Sequence, residues 1–251
     1  MLNFLNSIDK NQIGKYYIMK WIYNYQLFLF DFDGLLVDTE HLHYQAYLDM
    51  CAQRGYELPW SFDRFSEAAY HPPFALRDQI YAELPKLQRQ EPNWEILHEE
   101  KTQCFLNLIK QATVPLLPGV ADLLLALHKG EINHCVVTHS PASLIEQICQ
   151  QNRMLQTIPH WMTREDYNRP KPHPECYQRA ITQFSRPHEQ IIGFEDSLKG
   201  LHALLETKAK PVLICPPEAY YVEKILQSHP QIRYYPSFNA ITDQNAPFTP
   251  H

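Results

Sequence analysis

The chain has 251 residues, 45% of them hydrophobic and 12% aromatic, so it can bury one large core or two smaller ones. Its net charge of -6 offers no basic footprint for nucleic acid, and a small anionic ligand would have to be met by local positive groups. No stretch approaches the ~20 consecutive apolar residues of a membrane-spanning helix, and six cysteines without a C-x-x-C pair read as reduced thiols of a cytoplasmic protein.

Met1 to Tyr23 lacks the continuous apolar block of a secretory signal. Residues 1–22 are expected to form an N-terminal extension, with Met19 an alternative start. Leu27 to Phe30 is short, apolar and free of Gly and Pro, which predicts a buried strand. Thr39 to Tyr56 carries Leu42, Ala46, Leu48, Met50 and Cys51 near a 3.6 period, with Gly55 near its end, and predicts a helix. Phe74 to Leu84 and Trp94 to Ala112 also read as helices, separated by Pro85 and Pro92, and Pro115 and Pro118-Gly119 close this stretch.

Beyond Gly119 helix and strand alternate. Helices are expected at Val120 to Lys129, Pro141 to Asn152, Glu175 to Phe184 and Ser197 to Thr207, and strands at Cys135 to Thr138, Ile191 to Phe194 and Pro211 to Ile214. That alternation implies parallel crossovers and an α/β doubly wound, Rossmann-like sheet. The expected core is 23–40 with 116–251, and 41–115 is an inserted helical cap. Asn245 to His251 reads as a loose tail.

The most informative segment is Asp31-Phe32-Asp33-Gly34, which sets two carboxylates at the exit of the first apolar strand. Ligand sites of open α/β sheets lie at such carboxyl ends, and Gly34 permits a turn or a close approach to a ligand. The full run Asp31 to Glu40 resembles the first motif of the haloacid dehalogenase superfamily of phosphohydrolases. Three later segments resemble the other motifs in the expected order: His134 to Ser140, Arg169 to Pro174 with Tyr177, and Ile191 to Ser197 with Gly200. The inserted helical segment matches the subgroup that includes β-phosphoglucomutase and phosphoglycolate phosphatase.

The resemblance implies a phosphatase that works through an aspartyl phosphate. In it Asp31 is the nucleophile, Asp33 the general acid and base, and Lys171 the group that neutralises the phosphoryl oxygens. Thr138 and His139 are expected at the phosphate with Lys171. Two aspartates beside a phosphate dianion require a cation, and the implied one is Mg²⁺, held by Asp31, the backbone carbonyl of Asp33, Glu195 and Asp196. The plain alternatives are helix caps at Thr138 or Ser140 and at Glu195-Asp196.

The cap loop departs from the pattern. Members resembling β-phosphoglucomutase carry a Gly-x-Ser-Arg-like loop, whereas Glu67 to Arg77 has neither that glycine nor that serine. Tyr70, His71 and Arg77, with His43 in the first cap helix, are the candidates for substrate contact. The expected partner is a small phosphorylated metabolite, such as a sugar phosphate or nucleotide-like compound, with no nucleic acid or membrane, on a monomer or weak homodimer. A phosphosugar mutase shares all four motifs and is the second reading. A catalytically silent binding protein on the same fold is the third.

Overall fold

Leu27–Phe30 (β1) has no exposed side chain and forms the centre of a parallel sheet. It pairs on one side with β2 (Asn133–Val137) and on the other with β4 (Ile191–Glu195). A computed structural model describes residues 19–70, 75–217, 219 and 221–248 of the chain. With β3 (His160–Met162), β5 (Lys210–Ile214) and β6 (Arg233–Tyr235) the strand order is β3-β2-β1-β4-β5-β6, every pairing parallel. The chain runs outward through β2 and β3 and then returns to the other side of β1. That reversal is the switch point at which open α/β sheets bind ligands.

Both faces of the sheet are covered. Phe28 and Phe30 belong to one apolar cluster with Val136, Ile192 and Phe194, while Leu27 and Leu29 belong to another with Cys135, Val137 and Ile191. This is the period-2 alternation of a strand buried on both sides, which leaves a continuous apolar run in the sequence. Phe194 stacks on Phe30 at 5.2 Å and on Phe28 at 6.1 Å, tying β1 to β4 by side chains as well as by the ladder.

The crossover helices are α6 (Val120–Lys129), α7 (Ala142–Gln151), α8 (Glu175–Phe184), α9 (Leu198–Leu205) and α10 (Val222–Ser228). Between β1 and α6 stand α1 (Glu40–Gln53), α2 (Phe62–Tyr70), α3 (Ala75–Glu83), α4 (Pro85–Gln90) and α5 (Trp94–Gln111), with no strand among the described residues. α1 packs along α5, and Arg54, just past the end of α1, reaches Glu100 within α5 through Nη2 and Nε at 2.5 and 2.9 Å.

Several expectations change. Pro85 opens α4 instead of only breaking the chain, because a first-turn proline lacks an N–H that would be unpaired there anyway. Residues from Asn245 are not a loose tail as far as they are described. Tyr25 Oη donates to the Pro247 carbonyl at 2.6 Å, and Ala246 is buried. At the other end, Trp21 and Ile22, expected in the extension, are buried in the main core, with Trp21 5.7 Å from the Phe28 ring. No described helix is long and apolar enough to cross a membrane.

Candidate active site

β1, β2 and β4 end side by side, so the residues just beyond them share one space. Asp31 leaves β1 with its N–H donated to the Phe194 carbonyl at 3.0 Å, and the chain then folds into a tight turn. The N–H groups of Leu36 and Val37 both point to the Phe32 carbonyl, at 2.9 and 3.2 Å. Gly34 sits in this turn at φ +78°, and a Cβ there would lie 2.4 Å from Asp196 Oδ2. Conformation and space both demand glycine.

Lys171 is the hub. Its buried ammonium donates to Asp31 Oδ1 at 2.6 Å, Glu195 Oε1 at 2.7 Å and the Val137 carbonyl at 2.9 Å. Three donor protons meet three acceptors from β1, β2 and β4. Burial works to lower the lysine, but Asp31 and Glu195 outweigh it and hold it well above the ordinary range. Tyr177 on α8 donates its hydroxyl to the same Glu195 oxygen and lies under the ammonium, 4.8 Å from ring centre to Nζ. The loop ahead of Lys171 is held by Glu175, which accepts the N–H groups of Asn168 and Arg169 at 3.1 and 3.0 Å.

Asp31, Glu195 and Asp196 bring one oxygen each within 4.8 Å of one another. Asp196 Oδ1 is buried with no hydrogen-bond partner among the described residues. Burial pushes Asp31 up to about 7, with Lys171 opposing and Glu195 adding to the rise. Burial, then Asp31 and Glu195, lift Asp196 well above the carboxylate range. A crowded, desolvated acid set with an orphaned oxygen suits a hard divalent cation. The site fits one. The Asp33 carboxylate is not among these oxygens and is engaged elsewhere.

Asp33 accepts from Thr39 Oγ1 at 2.8 Å and from Ser140 Oγ at 2.5 Å, and lies 3.8 Å from His43 Nε2. Burial opposes its charge, but His43, Ser140 and Thr39 prevail and hold its carboxyl below the ordinary value. His43 stacks on Phe105 at 4.0 Å and receives Lys101 Nζ on Nδ1 at 2.7 Å. Burial, then the Lys101 charge, lower this imidazole to about 4, and burial lowers Lys101 itself to about 8. His43 is therefore neutral near pH 7, with Nδ1 as acceptor and Nε2–H pointed at Asp33.

Thr138 is buried at the end of β2, and its Oγ1 accepts the Ser140 N–H at 2.9 Å, which leaves its own proton free to donate. His139 Nε2 accepts the Lys171 N–H at 2.7 Å, so Nδ1 carries the proton. These residues line a cavity of about 470 Å³ with Glu40, Tyr47, Phe65, His98, Lys101 and Lys199. Arg77 does not line it. Its Nε pairs with Asp78 Oδ1 at 2.8 Å, beside a smaller hollow with Trp94 and His98. His71 and the side chain of Tyr70 lie outside the described residues.

Sequence reasoning missed Lys101 and the role of Ser140 toward Asp33. A signal existed for Lys101: Leu97, Lys101 and Phe105 follow each other at four-residue spacing, which places a lysine in the apolar stripe of α5. For Ser140 none existed, since its distance to Asp33 is set by the pairing of β1 with β2.

Residues 28–214 match the model of the haloacid dehalogenase-like hydrolase family. Protein CbbY of Cereibacter sphaeroides is 29% identical over 181 residues, covering 70% of this chain and 77% of that protein. Hexitol phosphatase B of Escherichia coli (strain K12) is 24% identical over 191 residues, covering 76% and 84%. The crystal structure of CbbY from Rhodobacter sphaeroides in complex with phosphate shares the fold at a TM-score of 0.65 and 22% identity, covering 85% of this chain and 95% of that one. Because the family match runs from β1 to β5 and takes in Asp31, Asp33, Thr138, Lys171, Glu195 and Asp196, the chain belongs to the haloacid dehalogenase-like hydrolases, as an enzyme of the phosphatase kind.

Proposed function

We propose that this enzyme is a Mg²⁺-dependent phosphatase that hydrolyses a small phosphomonoester, such as a sugar phosphate or nucleotide-like compound, through a phosphoryl group carried on Asp31. The observation that carries this reading is the division of labour between two carboxylates two residues apart. Asp31 is anchored through one oxygen by Lys171 at 2.6 Å, while Asp33 is held by Thr39, Ser140 and His43. One is oriented as a nucleophile and the other as a proton carrier.

An oxygen of Asp31 attacks phosphorus and the bond from phosphorus to the ester oxygen breaks. Asp33 delivers a proton to that leaving oxygen, then takes one from the water that attacks the phosphorylated Asp31 and frees phosphate. The contacts that favour its anion suit the second, base step. Lys171, the Thr138 hydroxyl and the His139 Nδ1–H offer positive charge and donors to the phosphoryl oxygens. Asp31, Glu195, Asp196 and the backbone carbonyl of Asp33 would hold Mg²⁺, which supplies charge to offset the acids and the phosphate dianion.

Residues 41–115 act in this reading as a cap over a core of 23–40 and 116–251, and the cap brings His43 and Lys101 to Asp33. Relatives with phosphatase names favour hydrolysis over phosphoryl return to a sugar. The experiment is phosphate release from a panel of phosphomonoesters with Mg²⁺, run beside a coupled mutase assay. Phosphate release with no isomerised sugar phosphate is the expected result. Isomerisation faster than release would make the enzyme a mutase, and neither would leave a silent binding protein.

A further inference from the structure

Two linkers join the cap to the core and run side by side. Asp38 donates its N–H to the Pro115 carbonyl and Leu117 its N–H to the Leu36 carbonyl, both at 3.0 Å, and Val37 faces Leu116 in an antiparallel bridge. These bonds tie linker to linker, and a separate pair ties the cap to a core helix. Gln151, the last residue of α7, donates through Nε2 to the Ile109 carbonyl at 2.7 Å and accepts the Val114 N–H on Oε1 at 3.1 Å. Ile109 lies in the last turn of α5, where carbonyls lack a partner within the helix. The neighbouring Leu108 carbonyl takes the Ala112 N–H, and that of Ile109 goes to Gln151. One side-chain amide thus satisfies a helix end and the linker that follows it, which requires both a donor and an acceptor. Gln147, one turn earlier on α7, makes no such bond, and its Oε1 is buried without a partner among the described residues.

α5 supplies His98, Lys101, Thr102 and Phe105 to the wall of the cavity. Lys101 stands eight residues before Ile109, about 12 Å along the helix axis. A tilt of α5 by about 10° around its Ile109 end would carry Lys101 roughly 2 Å, more than a hydrogen bond tolerates. The paired linkers alone leave such a tilt open, because they fix the chain before α1 and beyond α5 but not α5 itself. We propose that Gln151 is a positioning residue, which holds the end of α5 on α7 and so sets where the cap wall stands over Asp31 and Asp33. It touches no substrate or reacting atom. This rests on the phosphatase reading only for the division into cap and core.

The test reads cap position, not turnover. Nitroxide labels are placed on cap and core at two exposed positions, as Glu57→Cys and Lys224→Cys, with the half-buried Cys149 removed as Cys149→Ser and the remaining cysteines buried. Pulsed electron–electron double resonance then gives the distance distribution between the labels with Gln151 intact, as Gln151→Leu, as Gln151→Glu, and with the exposed neighbour changed as Gln150→Leu. Loss of two hydrogen bonds at a helix end shifts the balance between cap positions about tenfold or more. Gln151→Leu should therefore broaden the distribution or add a second distance, and Gln150→Leu should not. Gln151→Glu, ionised at neutral pH, keeps an acceptor for Val114 but no donor for Ile109, and should loosen the cap as Gln151→Leu does. An unchanged distribution in Gln151→Leu, or the same change in Gln150→Leu, overturns the proposal even where the melting temperature falls. Wild-type distances in Gln151→Glu overturn the assignment of the Ile109 carbonyl as the fixed point. Failure of the phosphatase reading shows separately, as absence of phosphate release by the wild-type enzyme.

Discussion

Gly200→Ala tests whether Glu195 is the buried anchor of the site. An alanine Cβ at that position would stand 1.9 Å from the Glu195 carboxyl carbon and Oε1 and 2.0 Å from Oε2, against an ordinary contact of 3.4 Å or more. The carboxylate must then move by about 1.5 Å, which stretches its 2.7 Å bond to Lys171 to roughly 4 Å and breaks the Tyr177 contact. Glu195 is fully buried, so no water replaces what is lost. Disrupting a buried, hydrogen-bonded ion pair costs about 3 kcal/mol or more. For a chain of this size that is roughly 6–12 °C of melting temperature. Activity should fall with it, because Lys171 keeps only Asp31 and Val137 to orient it. The assay is a thermal melt beside phosphate release. A variant within about 2 °C of the wild-type and fully active would refute the placement of Glu195.

Glu175→Gln should weaken the loop before Lys171 in a pH-dependent way. The N–H groups of Asn168 and Arg169, with the Arg169 and Arg179 side chains, lower its carboxyl to about 2, so its stabilisation is full above its ordinary 4.5 and fades as pH falls toward 2. The gap in melting temperature between wild-type and variant should narrow from about pH 6 to about pH 2, and a gap that widens on acidification contradicts the assignment. Lys101→Met leaves His43 Nδ1 without its donor, and kcat should drop about tenfold or more with a smaller change in KM; a change in KM alone would make Lys101 a substrate contact only. A chelator should abolish phosphate release and Mg²⁺ restore it, whereas Ca²⁺, with more ligands at longer distance, should inhibit. Full activity in chelator would remove Glu195 and Asp196 from the chemistry.

The strand ends were legible in the sequence, and Asp31, Asp33, Lys171, Glu195 and Asp196 each stand at one or in the turn before a helix. Their proposed roles follow from the resemblance of four ordered motifs, since each pattern alone is equally an ordinary strand exit, loop or helix cap. The boundaries of α6 and α8 fall where the 3.6 period and the flanking Gly119 and Pro174 put them. β3 and β6 are not legible from the sequence, because each has three residues and they form the two edges of the sheet, where hydrophobic pattern is weak. α2 was legible but not read: Phe62, Phe65 and Ala69 stand three and four residues apart, a helical period in a short segment. The tail looked loose because its anchors, Tyr25 and Trp21, lie more than 200 residues earlier, with Trp21 N bound to Asp243 Oδ1 at 3.0 Å. The cavity lining was the least legible: Arg77 is paired with Asp78 and does not line it, whereas Lys101 of α5 does.

Trapping of the phosphorylated enzyme tests the central claim most directly. With Asp33→Asn the second step lacks its base, so acid quench during turnover of an activated aryl phosphate should capture the phosphoryl group on the protein. Peptide mass analysis is predicted to find one phosphoryl group on the segment that contains Asp31, and none when Asp31→Asn is added. Phosphate release by a protein that carries no phosphoryl group at Asp31 at any time in the turnover, or carries it on another residue, would contradict the account.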